Sequence, residues 1–432
     1  MYMKQFYQIK KHSKNISIIF VVYIAILLVV LVSWKEIDTA PPMYLRVLFV
    51  AASLLPTYLY PQSTLPIIAC FSTISFYGYA HTYFPAELTF ILPMMLLLAL
   101  ITRRESGDLN KSNSLMLLLA IYTAFVDLLT SGAINPISMS FLMIFTFEIL
   151  LKNDEVSFHI LGYALCVASL VLSYEFFFVG DAMITEYTTI GMSRVFLRDP
   201  NYYGAIIAAG AVVAFREQIN PREKTMLEKT LYVLTIALTF VTVVLNASRG
   251  AMLSLSLCMA LLILYYPTKM KYKFVILIVA IVGIVVLYQN GFFDLLQYRI
   301  ESDSGTGSNR TVIWDRKISS FLQEGSILNL LFGFGNTEAL KLGMDAAFHN
   351  DFIAMLVEYG FFGLIMLICM VLRPLFLSCK NNQIEIVILV LFFILECSTI
   401  EPITAGRYAH LFFYIYVEKL VSLNKERLKI HH

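Results

Sequence analysis

Apolar runs long enough to cross a bilayer recur along the whole chain, and no other feature restricts the fold as tightly. A helix needs roughly 17–25 mostly apolar residues to span the hydrocarbon core, where every backbone N–H and C=O must be paired within the protein. Scanning the 432 residues on that basis gives fourteen candidates, near 16–34, 43–60, 64–81, 86–102, 114–130, 136–151, 156–178, 201–215, 230–246, 250–266, 273–289, 350–372, 384–399 and 403–421. Composition agrees, with 59% apolar residues and only 14% charged, against about a quarter charged in soluble domains. The expected fold is an all-α polytopic membrane protein, a single integral membrane domain over 1–432. It has 12–14 transmembrane helices, since 136–151 and 201–215 are short enough to be tilted, re-entrant or differently bounded.

Basic residues orient the spans, because Lys and Arg accumulate in short cytoplasmic loops. With the N-terminus inside, 21 of the 32 lysines and arginines fall on cytoplasmic segments, among them Lys10, Arg103, Lys152, Arg222, Lys271, Arg373 and Lys425. Lysines precede the first apolar run as they would in a signal peptide, but that run is long and lacks a clear small-residue cleavage site, so it reads as a retained helix. Both termini are then cytoplasmic, and the long polar segment 290–349 faces outward. Arg194, Arg198, Arg249, Arg299, Arg310, Arg316 and Arg407 are left on or near the disfavoured side. Snorkelling or loop ion pairs are the plain explanation for Arg299, Arg316 and Arg407.

Several function classes drop out. No cytoplasmic connector exceeds about a dozen residues, and neither a Walker A lysine motif nor a strand-flanked G-x-G-x-x-G occurs, so no nucleotide-binding domain is expected. Gly333-Phe334-Gly335 reads as a turn. The basic residues are dispersed and form no nucleic-acid face. Cys70, Cys166, Cys258, Cys369, Cys379 and Cys397 include no C-x-x-C pair and mostly lie in apolar runs, where Cys behaves as a small hydrophobe. His349-x-Asp351 has no ligand-spaced His or Cys to complete a metal site, so neither metal nor cofactor is expected. An outer-face reaction therefore needs a substrate that arrives already activated.

Three outward helix starts carry related polar residues: Arg198-Asp199-Pro200-Asn201, then Ser248-Arg249-Gly250, then His349-Asn350-Asp351. Asp199 and Ser248 are capping residue types, and Pro200 suits a first helical turn. A helix N-terminus offers unpaired N–H groups and partial positive charge, and an adjacent guanidinium adds a fork suited to phosphate. Two such starts side by side would suit a diphosphate. The same positive end favours neutral imidazole at His349, the form a general base needs. The alternative for Arg198 and Arg249 is an interfacial cap, and for His349 a capping or core role.

Within the long loop, Gly305-Thr306-Gly307-Ser308-Asn309 delivers Arg310 to the start of an amphipathic piece, Thr311–Gln323. Carrying Ile313, Trp314, Ile318, Phe321 and Leu322, that piece could lie on the membrane surface as a lid. Arg310 becomes a third candidate for a diphosphate. Charged residues inside spans are costly. Asp127, Glu148, Glu175, Glu358 and Glu396 qualify, with Arg46 and Arg407 as available ion-pair partners, and we read them first as structural.

At these residues the chain resembles the O-antigen polymerase and O-antigen ligase family of bacterial envelope glycosyltransferases. The matching pieces are R-D-P-N at Arg198–Asn201, S-R-G-A at Ser248–Ala251, N-R-x-x-x-W at Asn309–Trp314, G-F-G at Gly333–Gly335, and H-N-D-F followed by E-Y-G-x-x-G from His349 to Gly363. The resemblance implies a GT-C-like, metal-independent transferase in the bacterial inner membrane with its active site toward the periplasm. Its donor would be an undecaprenyl diphosphate-linked oligosaccharide and its surroundings membrane lipids, with a chain-length regulator as a further partner. Arg198, Arg249 and Arg310 would hold the donor diphosphate, His349 and Arg249 would be catalytic, and Asp199, Asn201, Asn350, Asp351 and Glu358 would support them or the acceptor. A polymerase is the first expectation, a ligase acting on a lipid A-core sugar the second, and a polysaccharide or lipid transporter the third.

Overall fold

The computed structural model describes residues 113–130, 132, 137–138, 141–142, 145, 155–174, 176–177, 200–246, 248–266, 270–291, 293–294, 297, 301, 310–335, 348–379, 383–400 and 408–430. The first four expected spans, most of 136–151, and Arg46, Glu148, Glu175, Arg194, Arg198, Asp199 and Arg407 lie outside them. Among the described residues all regular structure is helical: α1 (Asn113–Thr130), α2 (Glu155–Tyr174), α3 (Pro200–Ile219), α4 (Met226–Leu245), α5 (Arg249–Tyr265), α6 (Met270–Gln289), α7 (Arg310–Glu324), α8 (Ile327–Phe332), α9 (Asp351–Cys379), α10 (Ile384–Thr399) and α11 (Tyr408–Ile430).

Helix α3 is the axis of the bundle, buried on every side from Tyr203 to Glu217 and packed against α2, α4, α5 and α11. The run 201–215 is thus part of a 20-residue helix. Its small residues explain the central position, because close helix approach needs side chains that stay out of the way. A Cβ on Gly204 would stand 2.6 Å from the Ser248 Cβ, so the starts of α3 and α5 meet only because this residue is glycine.

α4 and most of α9 (Asp351–Ser378) are long and apolar enough to cross a membrane. α6 exposes Ile278, Ile281, Val282, Ile284, Val285 and Val286, and α4 exposes Val233, Leu234 and Leu238. Contiguous apolar surface of that kind is expensive in water and is what a bilayer covers. Among the described residues the fold is all-helical and compatible with a helical membrane protein.

α9 departs from a simple span: at 29 residues it is about 43 Å long at 1.5 Å per residue, and it kinks at Gly360, whose φ of 68° and ψ of −171° are non-helical. A kink frees carbonyls that must find partners inside a membrane protein. Here Val357 O accepts from the Phe334 N–H at 3.0 Å and Glu358 O from the Gly335 N–H at 2.8 Å, while Tyr359 O accepts from the Tyr122 hydroxyl at 2.6 Å. Backbone meets backbone at this point, since a Cβ on Gly333 would lie 2.2 Å from Glu358 O. The G-F-G turn and the E-Y-G-x-x-G kink are therefore two halves of one clamp.

Candidate functional site

The starts of α5, α7 and α9 come together around the C-terminal turn of α10, and the start of α3 meets that of α5 through Gly204 and Ser248. Gly250 of α5 sits against Thr399, whose Oγ1 would be 3.0 Å from a Cβ at that glycine. Arg310, the first residue of α7, donates through Nη1 to Thr399 O at 2.6 Å. Asn350, just before α9, donates through Nδ2 to Ser398 O at 3.2 Å. The last carbonyls of a helix lack intrahelical partners and carry partial negative charge, so side-chain donors collect there. Helix α10 thereby gathers segments far apart in sequence into one place.

Each helix start is built locally. Asn350 caps α9, its Oδ1 accepting from the N–H groups of Phe352 at 2.9 Å and Ile353 at 3.2 Å. Asp351 follows it, fully buried and hydrogen-bonded by the Cys397 thiol of α10. Ser248 occupies the N-cap of α5 in extended conformation, but its hydroxyl makes no capping bond; it is buried against Gly204 instead. Arg249 is half-buried at the first position of α5, and Asn201 half-buried in the first turn of α3. Glu358 lies two turns into α9, beside the kink, away from the helix start.

His349 is half-buried and adopts φ 53°, the one non-glycine residue in the left-handed region among those described. Such a conformation costs on the order of 1–3 kcal/mol and survives only where its surroundings enforce it. Enforcement comes from both neighbours. Asn350 is fixed by the cap and by Ser398. Phe348 is held by α7: the Trp314 indole N–H donates to Phe348 O at 2.7 Å, and the Lys317 ammonium stands 3.6 Å from the Phe348 ring centroid. Phe348 also joins Phe321, Ala354 and Val357 in a small separate core. The amphipathic piece therefore does cover the His349 segment, and the residues with which it does so face α9.

Below this cluster the buried acids are held by hydroxyl groups. Asp127 of α1 accepts from Ser138 at 2.7 Å and from Tyr359 at 3.1 Å, and Glu396 of α10 accepts from the Ser254 hydroxyl of α5. At the far end of the bundle guanidinium groups face carboxylates directly. There Arg216 faces Glu217 and Glu385, Arg222 faces Glu217 and Glu228, and Arg373 faces Glu418. Burial alone would raise the Glu217 carboxyl, just past the apolar stretch of α3. The Arg216 guanidinium, followed by His159 and Arg222, outweighs it and brings the carboxyl down to about 2.

Of the residues expected from sequence, Arg249, Arg310, His349, Asn350, Asp351 and Asn201 are thus at one end of the bundle. The carbonyls of Ser398 and Thr399, the Trp314 donor and the buried Lys317 were not foreseen. Lys317 stands three residues after Trp314 and four before Phe321, on the same helical face, and that spacing was the available signal. Among the described residues no three His, Cys, Asp or Glu side chains are grouped to hold a metal ion.

Fold and site together describe a helical bundle, compatible with a membrane protein, in which two arginines and a histidine lie at clustered helix starts. Residues 234–368 match the family model described as O-Antigen ligase, which supports the O-antigen ligase/polymerase family for this chain. That stretch runs from inside α4 to inside α9 and includes Arg249, Arg310 and His349. No curated protein matches the chain.

Proposed function

We propose that the chain is an O-antigen or capsular polysaccharide polymerase. It transfers a growing glycan from an undecaprenyl diphosphate carrier to the terminal sugar of a lipid-linked repeat unit, on the outer face of the bacterial inner membrane. The observation that carries this reading is the convergence of Arg249, Arg310 and His349 around the α10 C-terminus. Arg249 and the α5 N-terminus are suited to a diphosphate, whose negative charge grows as the glycosidic bond breaks. Arg310 and, by its motif position, Arg198 join them. The neutral imidazole of His349 accepts the proton of the acceptor hydroxyl as that oxygen attacks the anomeric carbon, and the carrier leaves as a diphosphate. Direct displacement inverts the anomeric centre. The arrangement fits a GT-C-like transferase that needs no metal, because the guanidinium groups supply the charge a cation would.

The test is His349→Ala in the full chain, supplied with a lipid-linked repeat unit and no ion gradient. Wild-type protein should lengthen the glycan, while the variant stays in the membrane and leaves single units. Long glycans from the variant would overturn the assignment of His349, and a wild-type protein inert without a gradient would favour a transporter. The description of the matched family favours a second reading, a ligase whose acceptor is a lipid A-core sugar. In that case the variant accumulates full-length lipid-linked chains that are not attached.

A further inference from the structure

We infer that Trp314 is a positioning residue for His349. Its indole N–H, by holding the Phe348 carbonyl, ties the seating of α7 to the backbone conformation in which His349 is presented. The inference rests on the proposed role of His349 and goes beyond it, making the cover helix part of the working site.

A left-handed histidine relaxes readily if the peptide plane before it can turn about the flanking φ and ψ bonds. Two kinds of contact oppose that rotation on the N-terminal side. One is the bond from Trp314 Nε1 to Phe348 O, 2.7 Å long. The other is the Phe348 side chain, seated beneath Lys317 and against Phe321 of α7, and against Ala354 and Val357 of α9. Trp314, Lys317 and Phe321 all belong to α7, and they contact Phe348 from a single face. Arg310 opens the same helix and grips Thr399 O. When α7 is seated, one rigid element thus sets both the proposed diphosphate ligand and the histidine. When it lifts, both are released together. An indole is suited to this, as a large apolar body with one directional donor.

Trp314→Phe removes the donor and keeps most of the apolar body. In the full-length protein in nanodiscs we expect kcat for glycan transfer to fall about 10- to 100-fold, as for a catalytic group displaced by a fraction of an ångström to one ångström. The KM for the lipid-linked donor should stay within about twofold, since uniform binding is untouched. Amide hydrogen exchange should rise about tenfold in residues 348–356 with α4 unchanged. Turnover close to wild type, exchange unchanged over 348–356, or a raised KM at constant kcat would each overturn the inference. Should Trp314→Phe also loosen α4, Lys317→Met carries the same two readouts, and no change in either there overturns it. The exchange measurement does not depend on the reaction. Wild-type protein that transfers no glycan would count against the proposed function and leave the coupling of α7 to His349 to be judged by exchange alone.

Discussion

Where α3, α5 and α9 begin, the cations stand beside helix starts and carbonyls: Arg249 opens α5 and Arg310 is held by Thr399 O. At the opposite end of the same helices, Arg216, Arg222 and Arg373 each face a carboxylate, and Tyr266, Tyr416 and Asn424 complete the network with hydrogen bonds to Glu385 and Glu217. Both ends bury charge, with different consequences. A cation already neutralised by carboxylates binds the protein to itself. A cation beside a helix N-terminus adds to a positive field that an incoming anion can use. On the function proposed above, the end where the helix starts cluster is the one that meets the donor phosphate.

The sharpest way to break this contrast is Arg249→Ala. Loss of one donor to a developing anion typically costs about 10²–10³ in kcat. We expect a loss of that order with thermal unfolding shifted by no more than a degree or two. A large drop in thermal stability with turnover preserved would place Arg249 with the structural arginines. Gly333→Ala should do the reverse. Its Cβ would meet Glu358 O at 2.2 Å, and the residue sits at φ 86°, so the clamp on the α9 kink must open. Destabilisation of roughly 3 kcal/mol or more is expected, read as lost protein in the membrane and early unfolding, with activity falling only in proportion to folded protein.

Much of this was legible in sequence for a physical reason. Helix existence follows from uninterrupted apolar runs, and the runs at 114–130, 156–178, 230–246, 250–266, 273–289 and 384–399 all coincide with helices to within a few residues. The helix starts were readable because capping and anion affinity are local properties. Pro200 begins α3 and Asn350 caps α9 through interactions within three residues. What sequence could not give was which helix end faces which. The meeting of Gly204 with Ser248, and of Arg310 and Asn350 with the α10 carbonyls, joins residues far apart in the chain through backbone groups that have no sequence signature. Pairings of the buried acids were illegible for the same reason. Asp127 accepts from the hydroxyls of Ser138 and Tyr359, and Glu396 Oε1 from that of Ser254, residue types too common in apolar helices to single out.

At the far end, Glu217→Gln should lower stability with little direct effect on turnover. Removing one partner of a buried ion pair costs roughly 3–5 kcal/mol. Arg216 keeps Glu385 and Arg222 keeps Glu228, so about 3 kcal/mol is expected. The pH dependence follows from the sign of the shift. The folded carboxyl titrates near about 2 and its ordinary value is 4.5. Its contribution is therefore fully present above 4.5 and disappears as pH falls toward 2. The gap in unfolding temperature between wild type and Glu217→Gln should be constant from pH 8 to about 5 and narrow below that. A gap that widens on acidification would show that Glu217 is not held ionised by Arg216.

The smallest expected effect lies at the site end and divides one residue's two roles. Asn350 caps α9 with its oxygen and tethers it to α10 with its nitrogen. Asn350→Ala loses both, and an N-cap alone is worth about 0.5–2 kcal/mol. Asn350→Ser restores a capping oxygen but has no amide to reach Ser398 O. If the tether matters only for stability, Ser should recover most of what Ala loses in both unfolding temperature and turnover. If it also keeps His349 in register with Arg310 across α10, Ser should recover the stability and leave turnover several-fold low, as expected when a reacting group is slightly misplaced. The second outcome is the one the geometry favours. Asn350 follows the left-handed His349 directly, and Ser398 O adjoins the Thr399 carbonyl that holds Arg310, so one helix terminus sets the spacing of both groups.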